Sequence, residues 1–373
     1  MIRILQVLDT LDVCAGMTSV VVNYHRRIDR GRVQFDYLVF SKSKNGYDHE
    51  IEALGGHVYW IPRPGLNKTF RRDTTAFFSV HAKDYAALHC HMLWAPAVFG
   101  PFARKYGISH VIAHSHSTKF SDKPASALRN MGMVLLDRFW ATHYMACSED
   151  AKRLFYFVPK GSITILRNAI ETERFAFDLE KRREARTALE ADENTVLVGH
   201  VGRFSPEKNH GFLLKTFREF KRRVPNSKLI LAGDGPLRAA IQRQVDQMNL
   251  RKNVVLLGTR NDMDCFYAGI DMLLLPSLFE GVPMVLLEAQ ASSLPCLVST
   301  AVSSIADLTG LVRFYPLEAG EEAWANQMEE LMERSSTIDR DWNTKKQFLE
   351  KGYDLTGAAD FLADYYEKLD ENV

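Results

Sequence analysis

Short apolar runs rich in β-branched residues recur along this chain with amphipathic stretches between them, and no other feature constrains its fold as much. Residues 2–8, 34–40, 57–61, 86–91, 110–114, 143–146 and 163–166 are apolar on both faces, as strands buried between two layers must be. Helical spacing lies between them, for example at 19–28, 95–106, 125–140 and 149–157. The order then repeats, with strands expected at 196–201, 228–232, 253–257, 272–275 and 296–298 and helices at 211–223, 237–248, 263–268 and 285–292. Turn residues such as Pro225-Asn226, Gly233-Asp234-Gly235 and Pro295 mark the joints. Alternation of this kind builds βαβ units around parallel sheets. The expectation is an α/β chain of two doubly wound domains, 1–168 and 169–355, linked through the polar stretch 168–186. A ligand cleft would lie between the carboxyl ends of their strands. In the tail, Phe361, Leu362, Tyr365, Tyr366 and Leu369 fall at helical spacing, so residues 356–373 are expected to pack against the body.

A length of 373 residues is ample for two cores, and 46% hydrophobic with 25% charged residues excludes disorder and repeat fibres. No run of eighteen apolar residues offers a membrane span, and the opening segment turns acidic too early for a secretory signal. Five scattered cysteines (14, 90, 147, 265 and 296) point to reduced thiols and a cytoplasmic location. The net charge of +1 conceals an asymmetry. Up to Asn168 the chain has 22 Lys and Arg against 13 Asp and Glu; beyond it the numbers are 25 and 33. A basic front half fits either surface drift or an anionic partner.

Three loops at expected strand ends carry chemistry. After strand 272–275 comes Glu280-Gly281-Val282-Pro283-Met284, with Glu288 just over a turn into the next helix. Backbone N–H groups at such a helix start suit phosphate, and two carboxylates suit sugar and ribose hydroxyls. Spacing alone fits a helix cap and a surface charge equally well. After strand 196–201, Gly202 permits close backbone approach, and Arg203 and Lys208 place two cations suited to phosphate oxygens. A lone basic loop is more often simply solvated. The third loop, Ala232-Gly233-Asp234-Gly235-Pro236, is by itself a tight turn opening a helix. Histidines also crowd the front half, with His91 at one strand end and His114 and His116 on one face of the next. Most histidines in such places are structural, and the spacing offers no third ligand for zinc.

Taken in order, GRFSPEKN, AGDGP and the E-x7-E within PSLFEGVPMVLLEAQASSLP resemble glycosyltransferase family 4. The likeness extends over nearly the whole chain, from Ala15-Gly16-Met17 through Arg167-Asn168-Ala169-Ile170 to the C-terminal helix. It is of the bacterial capsular and exopolysaccharide type. The resemblance implies the GT-B fold, two Rossmann-like domains with the C-terminal helix returning to the first. The front domain would bind acceptor and the back domain donor. It further implies a retaining hexosyltransferase moving a hexose or N-acetylhexosamine from a nucleotide sugar, UDP-linked by family frequency, to a glycan or lipid-linked saccharide, without cofactor or metal. Arg203 and Lys208 would hold the donor diphosphate and stabilise the leaving nucleotide, Glu280 would contact the donor sugar, and Glu288 the ribose. Gly16, Gly202 and Gly233 would belong to the donor-binding loops, and the amides of Gly281, Val282 and Met284 would line the pocket. His116 would stand near the reacting sugar, with His91 and Trp94 toward the acceptor.

Three positions depart from the family pattern: Ala15 in the usual glycine pair, Thr18 where an acid is frequent, and Ser293 where glycine often ends a helix. Asp262-Met263-Asp264 has the look of a metal-binding DxD but falls where Asp262 would cap a helix. A nicotinamide enzyme would need GxGxxG in the first loop, and residues 10–19 lack it. A catalytically inactive nucleotide-sugar-binding partner of another glycosyltransferase is the alternative, opposed by the intact Arg203, Lys208, Glu280 and Glu288. A GT-B phosphorylase or epimerase is a further rival. Arg26, Arg27, Arg30, Arg32, Lys68, Arg71 and Arg72 would form either a basic face for peripheral contact with anionic membrane or a solvated surface. No amphipathic insertion helix stands out, and no nucleic acid is expected as partner.

Overall fold

A computed structural model describes the chain except residues 14, 43–44, 66, 122–123, 336–339, 341–343 and 371–373 and the side chains of 334, 335 and 370. Cys14 therefore lies outside the described residues. Two compact units are formed, Met1–Ala169 with Leu355–Val373, and Ile170–Asp354.

In the first unit the strands are β1 (Ile2–Thr10), β2 (Val33–Ser41), β3 (Val58–Trp60), β4 (Ala87–Cys90), β5 (His110–Ser115), β6 (His143–Ala146) and β7 (Ile163–Ile165). They make one parallel sheet in the order β3-β2-β1-β4-β5-β6-β7. β1 and β2 are apolar on both faces because helices cover both, and Leu5, Val7, Leu38, Leu88, Phe78 and Phe99 pack into one of the resulting cores. Helix Ala95–Tyr106 lies close to the turn after helix Pro124–Asp137. A Cβ on Gly100 would stand 2.4 Å from Cβ of Trp140, so glycine is required there. Helix Leu355–Asp370 lies on β1, β2 and helix Gly16–Arg27. Its Tyr366 is fully buried, edge-on to Phe35, and Arg32 ties it down through Glu367 and Asp364.

The second unit holds β8 (Val196–Val201), β9 (Ser227–Ala232), β10 (Val254–Gly258), β11 (Met272–Leu275), β12 (Cys296–Ser299) and β13 (Val312–Tyr315). Their parallel order is β10-β9-β8-β11-β12-β13. One core forms on each side of the sheet, the first around Leu273, Leu275, Leu286 and Leu287, the second around Phe217, Phe220, Leu274 and Trp324. In both sheets the chain order reverses between two central neighbours, β1 and β4 in one, β8 and β11 in the other. Loops leaving such a pair diverge to opposite faces and open a crevice.

Several local expectations are corrected. Residues 149–157 form no longer helix, only a tight turn at Ala151–Leu154 in which Ala151 and Leu154 are buried. The stretch 168–186 is packed structure, holding helices Thr172–Phe175 and Leu179–Ala188. Its charges are consumed internally: Arg182 and the buried Arg186 both reach Asp271, and Lys181 pairs with Asp264 at 2.7 Å. Edge strand β13 was not expected because Arg313 interrupts its apolar run; that side chain turns outward to Glu330. Asp262 makes no side-chain cap, since its carboxylate accepts from Arg260 instead. The proposed basic face is partly spent, with Arg26 on Glu50, Arg32 on the tail helix and Arg72 on Asp73. No helix among the described residues is long and apolar enough to cross a membrane.

Candidate functional site

The second unit assembles its candidate site where its strand order reverses. The loop after β8 begins at Gly202 and is braced by the loop after β9. Gly202 N donates to Ala232 O at 3.0 Å, and Phe204 N to Asp234 O at 2.9 Å. Gly233, at φ +142°, lies so close that a Cβ would sit 2.0 Å from the Gly202 carbonyl oxygen. AGDGP is thus the mould against which GRFSPEK is cast. Gly202 in turn leaves room for the Lys208 stem, which a Cβ would meet at 3.1–3.4 Å.

The loop after β11 joins from the other side of the reversal. Leu278 N donates to Glu207 O at 2.8 Å, Lys208 Nζ donates to Glu280 Oε1, and Ser277 Oγ donates to the same oxygen at 3.1 Å. Lys208 and Glu280 are 14% and 16% exposed, so solvent screens this pair only partly. Arg203 is exposed, and its guanidinium has neither ion pair nor hydrogen bond among the described residues. It remains a permanently charged, solvated cation two positions beyond a buried strand. Gly281 has open space around it, and among the described residues nothing accepts from the amides of Gly281 and Val282. Met284 begins helix Met284–Ala291. Glu288 sits one turn in, where the hydroxyl of fully buried Tyr267 donates to its Oε2 at 2.8 Å. Burial pushes the Glu288 carboxyl up, while the Tyr267 hydrogen bond works against the shift. The loops therefore present one free cation, one bridged cation–carboxylate pair, open amides and an oriented carboxylate.

In the first unit, helix Gly16–Arg27 starts in the loop after β1, and no atom stands within 4 Å of a would-be Cβ on exposed Gly16. Four histidines gather at the ends of β4 and β5. His89 Nδ1 meets the Tyr366 hydroxyl at 2.6 Å and its Nε2 meets His114 Nδ1 at 3.1 Å. His91 Nε2 meets Gln6 Oε1 at 2.7 Å and its Nδ1 meets His116 Nε2 at 2.8 Å. An amide oxygen only accepts, so His91 carries its proton on Nε2 and its Nδ1 accepts from His116. The remaining lone pair of the relay is His116 Nδ1, buried beside Asn168. Burial pushes His89 down to about 3 and His116 to about 4, and lowers His91 and His114 as well, so all four are neutral near pH 7.

These contacts describe the surroundings of the two residues expected toward the acceptor. His91 is buried with both nitrogens engaged, one by Gln6 and one by His116. Trp94 is half-buried at the start of helix Ala95–Tyr106, its ring against Phe40 and Phe99. His114 does have further imidazoles near it, contrary to the spacing: nitrogens of His89, His91 and His114 lie within 4.8 Å of one another. Spacing along one strand could not reveal ligands supplied by its neighbour. Asp262 and Asp264 are taken by Arg260 and Lys181, which leaves no open DxD. Tyr267, Ser277 and Gln6 had no signal in the sequence, and the helical spacing that marked Tyr366 for packing did not reveal its hydroxyl's partner, because each acts across the fold.

The model of the family "Glycosyl transferases group 1" matches residues 181–352, the stretch that holds Arg203, Lys208, Glu280 and Glu288. EpsF of Bacillus subtilis (strain 168) is 32% identical over 379 residues, covering 98% of this chain and 96% of EpsF. The chain belongs to the group 1 glycosyl transferases. This glycosyltransferase is also 33% identical over 280 residues to the UDP-Gal:alpha-D-GlcNAc-diphosphoundecaprenol alpha-1,3-galactosyltransferase of Escherichia coli, covering 71% of this chain and 72% of that one. Its fold matches that of Anabaena HepE, solved with UDP and glucose, at a TM-score of 0.81 and 17% identity over 98% of this chain and 100% of HepE. Sucrose-phosphate synthase from Thermosynechococcus elongatus matches at 0.78 and 18% identity, each chain covered fully. The glycosyltransferase therefore has the GT-B fold.

Proposed function

We propose that this glycosyltransferase moves a hexosyl or N-acetylhexosaminyl group from a nucleotide sugar, with UDP favoured, to a saccharide or lipid-linked saccharide during bacterial polysaccharide assembly. It does so as a retaining, metal-independent family 4 enzyme at the cytoplasmic side of the membrane. The observation that carries the reading is the set of Arg203, without an ion-pair partner among the described residues, and the Lys208–Glu280 pair, on the two loops that leave the reversal point of the second sheet. Relatives support the choice of chemistry: the Escherichia coli protein is named for a UDP-galactose donor and a diphosphoundecaprenol-linked acceptor, and HepE was solved with UDP-glucose as well as UDP.

In this reading Arg203 and Lys208 neutralise the diphosphate as the anomeric C–O bond breaks. Glu280, held by Lys208 and Ser277, accepts from donor-sugar hydroxyls, and Glu288 accepts from the ribose. The amides of Gly281, Val282 and Met284 face the sugar and phosphate oxygens. The acceptor oxygen bonds to the anomeric carbon on the face the phosphate leaves, and its proton passes to the departing phosphate oxygen. The family resemblance assigns His116 to the reacting sugar and Gly16 to the donor-binding loops. No side chain is asked to form a covalent intermediate.

The test is isothermal titration with UDP, GDP, ADP and their common sugar conjugates, run beside Arg203→Ala and Glu288→Ala. Binding of one nucleotide, weakened in both variants, is expected. A folded protein that binds none of them refutes the donor assignment.

A further inference from the structure

Among the described residues of the unit formed by Met1–Ala169 and Leu355–Val373, nine large apolar side chains are exposed, and five of them lie between residues 128 and 139. They are Leu128, Met131, Leu135, Leu136 and Phe139, each between 40% and 67% exposed. The first four belong to helix Pro124–Asp137, and Phe139 follows directly after it. At 3.6 residues per turn the four helical positions fall within an arc of about 140°. The opposite side of the helix meets the protein through Val134 and Asp137. Clustered exposure on this scale differs from the scattered apolar residues normal on a surface.

Charge frames the arc. Arg129 and Arg138 project at its two margins, both are exposed, and neither has a carboxylate partner among the described residues. Arg129 donates to the amide oxygen of Asn130, and Arg138 lies over the Phe139 ring at 5.3 Å. The one acid in the helix, Asp137, is fully buried, and burial pushes its carboxyl up to about 8, so it adds little negative charge to the face. A self-facing contact of this helix with a second copy would set arginine against arginine, with the helix's acid, Asp137, buried out of reach on both sides. A sheet of anionic headgroups over acyl chains satisfies both parts of the pattern.

We propose that helix Pro124–Asp137 and the turn to Phe139 are a membrane-docking surface that inserts its apolar arc at the interface of an anionic bilayer, with Arg129 and Arg138 on lipid phosphates. This deepens the membrane reading given above and moves it off the face of Arg26, Arg32 and Arg72, whose charges are spent on protein carboxylates. It is independent of the transfer reaction, because vesicle binding and nucleotide binding are separate readouts.

The experiment is flotation of the full chain with vesicles of phosphatidylcholine alone, or with roughly a third phosphatidylglycerol, at low and high salt. Binding to the anionic vesicles, weakened but not abolished by salt, is expected. Arg129→Gln/Arg138→Gln is expected to lower the partition coefficient about 30-fold, at about 1 kcal/mol per arginine. Leu135→Asp/Phe139→Asp is expected to remove binding at either salt, with melting temperature and UDP affinity unchanged. Four results would overturn the proposal: wild-type protein that ignores anionic vesicles; unchanged binding of both double variants; loss of binding only on Arg27→Gln/Arg71→Gln; or a concentration-dependent dimer that Leu135→Asp dissolves.

Discussion

Gly233→Ala probes the contact on which the donor loops depend. At φ +142° a non-glycine residue is strained, and the new methyl would lie 2.0 Å from the Gly202 carbonyl oxygen. Backbone, not a flexible side-chain end, forms that wall, so the two loops must part by roughly 1–1.5 Å to reach ordinary contact. Strain and separation together are expected to destabilise the unit by about 2–4 kcal/mol, a fall in Tm of roughly 5–15 °C. The larger effect falls on function. Gly202 opens the loop that carries Arg203 and Lys208, and a misplacement near 1 Å lowers turnover about 100-fold. Steady-state transfer measured well below the variant's Tm separates the two effects. Gly357→Ala is the control: its Cβ meets nothing within 4 Å and sits in a helix, so about 0.5–1 kcal/mol of stabilisation and normal activity are expected. A folded Gly233→Ala protein with wild-type kcat/KM would refute the bracing argument, whatever its stability.

Tyr267→Phe removes the hydroxyl that orients Glu288; donor KM is expected to rise about tenfold with roughly 1 kcal/mol of stability lost, and an unchanged KM would free Glu288 from that support. Gln6→Leu removes the acceptor that sets the His91 and His116 tautomers, so kcat should fall with donor affinity intact, as single-turnover rates beside titration would reveal. The histidine cluster predicts acid lability. His89 and His116 have folded pKa values of about 3 and 4, below the unfolded value, so the unfolded chain gains protons first as pH drops below about 6.5. Each of them should remove about 1.4 kcal/mol of stability per pH unit from about 6 toward 4; urea midpoints that stay level over that range would contradict the burial argument. Transfer activity is expected to survive chelation by EDTA, and loss restored by added zinc would assign the His89, His91 and His114 cluster to a metal after all.

What the chain determines by itself is what can be read over a few neighbouring residues. Apolar runs of four to nine residues must be buried on both faces, so the strands, their parallel pairing and two sheets follow from periodicity, and glycine-rich turns place loops at strand ends. For that reason Gly202, Arg203, Lys208, Glu280 and Glu288 could be picked out as candidates before any contact was known. Tertiary structure decided which partners each charge and imidazole meets. Arg186 reads as a solvated linker residue but ends buried on Asp271, and His91 ends between Gln6 and His116, partners that its place at a strand end did not reveal. These pairings join residues tens of positions apart, where electrostatics acts through space and leaves no local trace. The same limit hid the docking surface. Periodicity marks Leu128, Met131 and Leu135 as one side of a helix, but only packing shows that the protein covers the other side, that of Val134 and Asp137. A hydrophobic stripe specifies that something apolar should cover it, and the fold decides whether the protein itself does so.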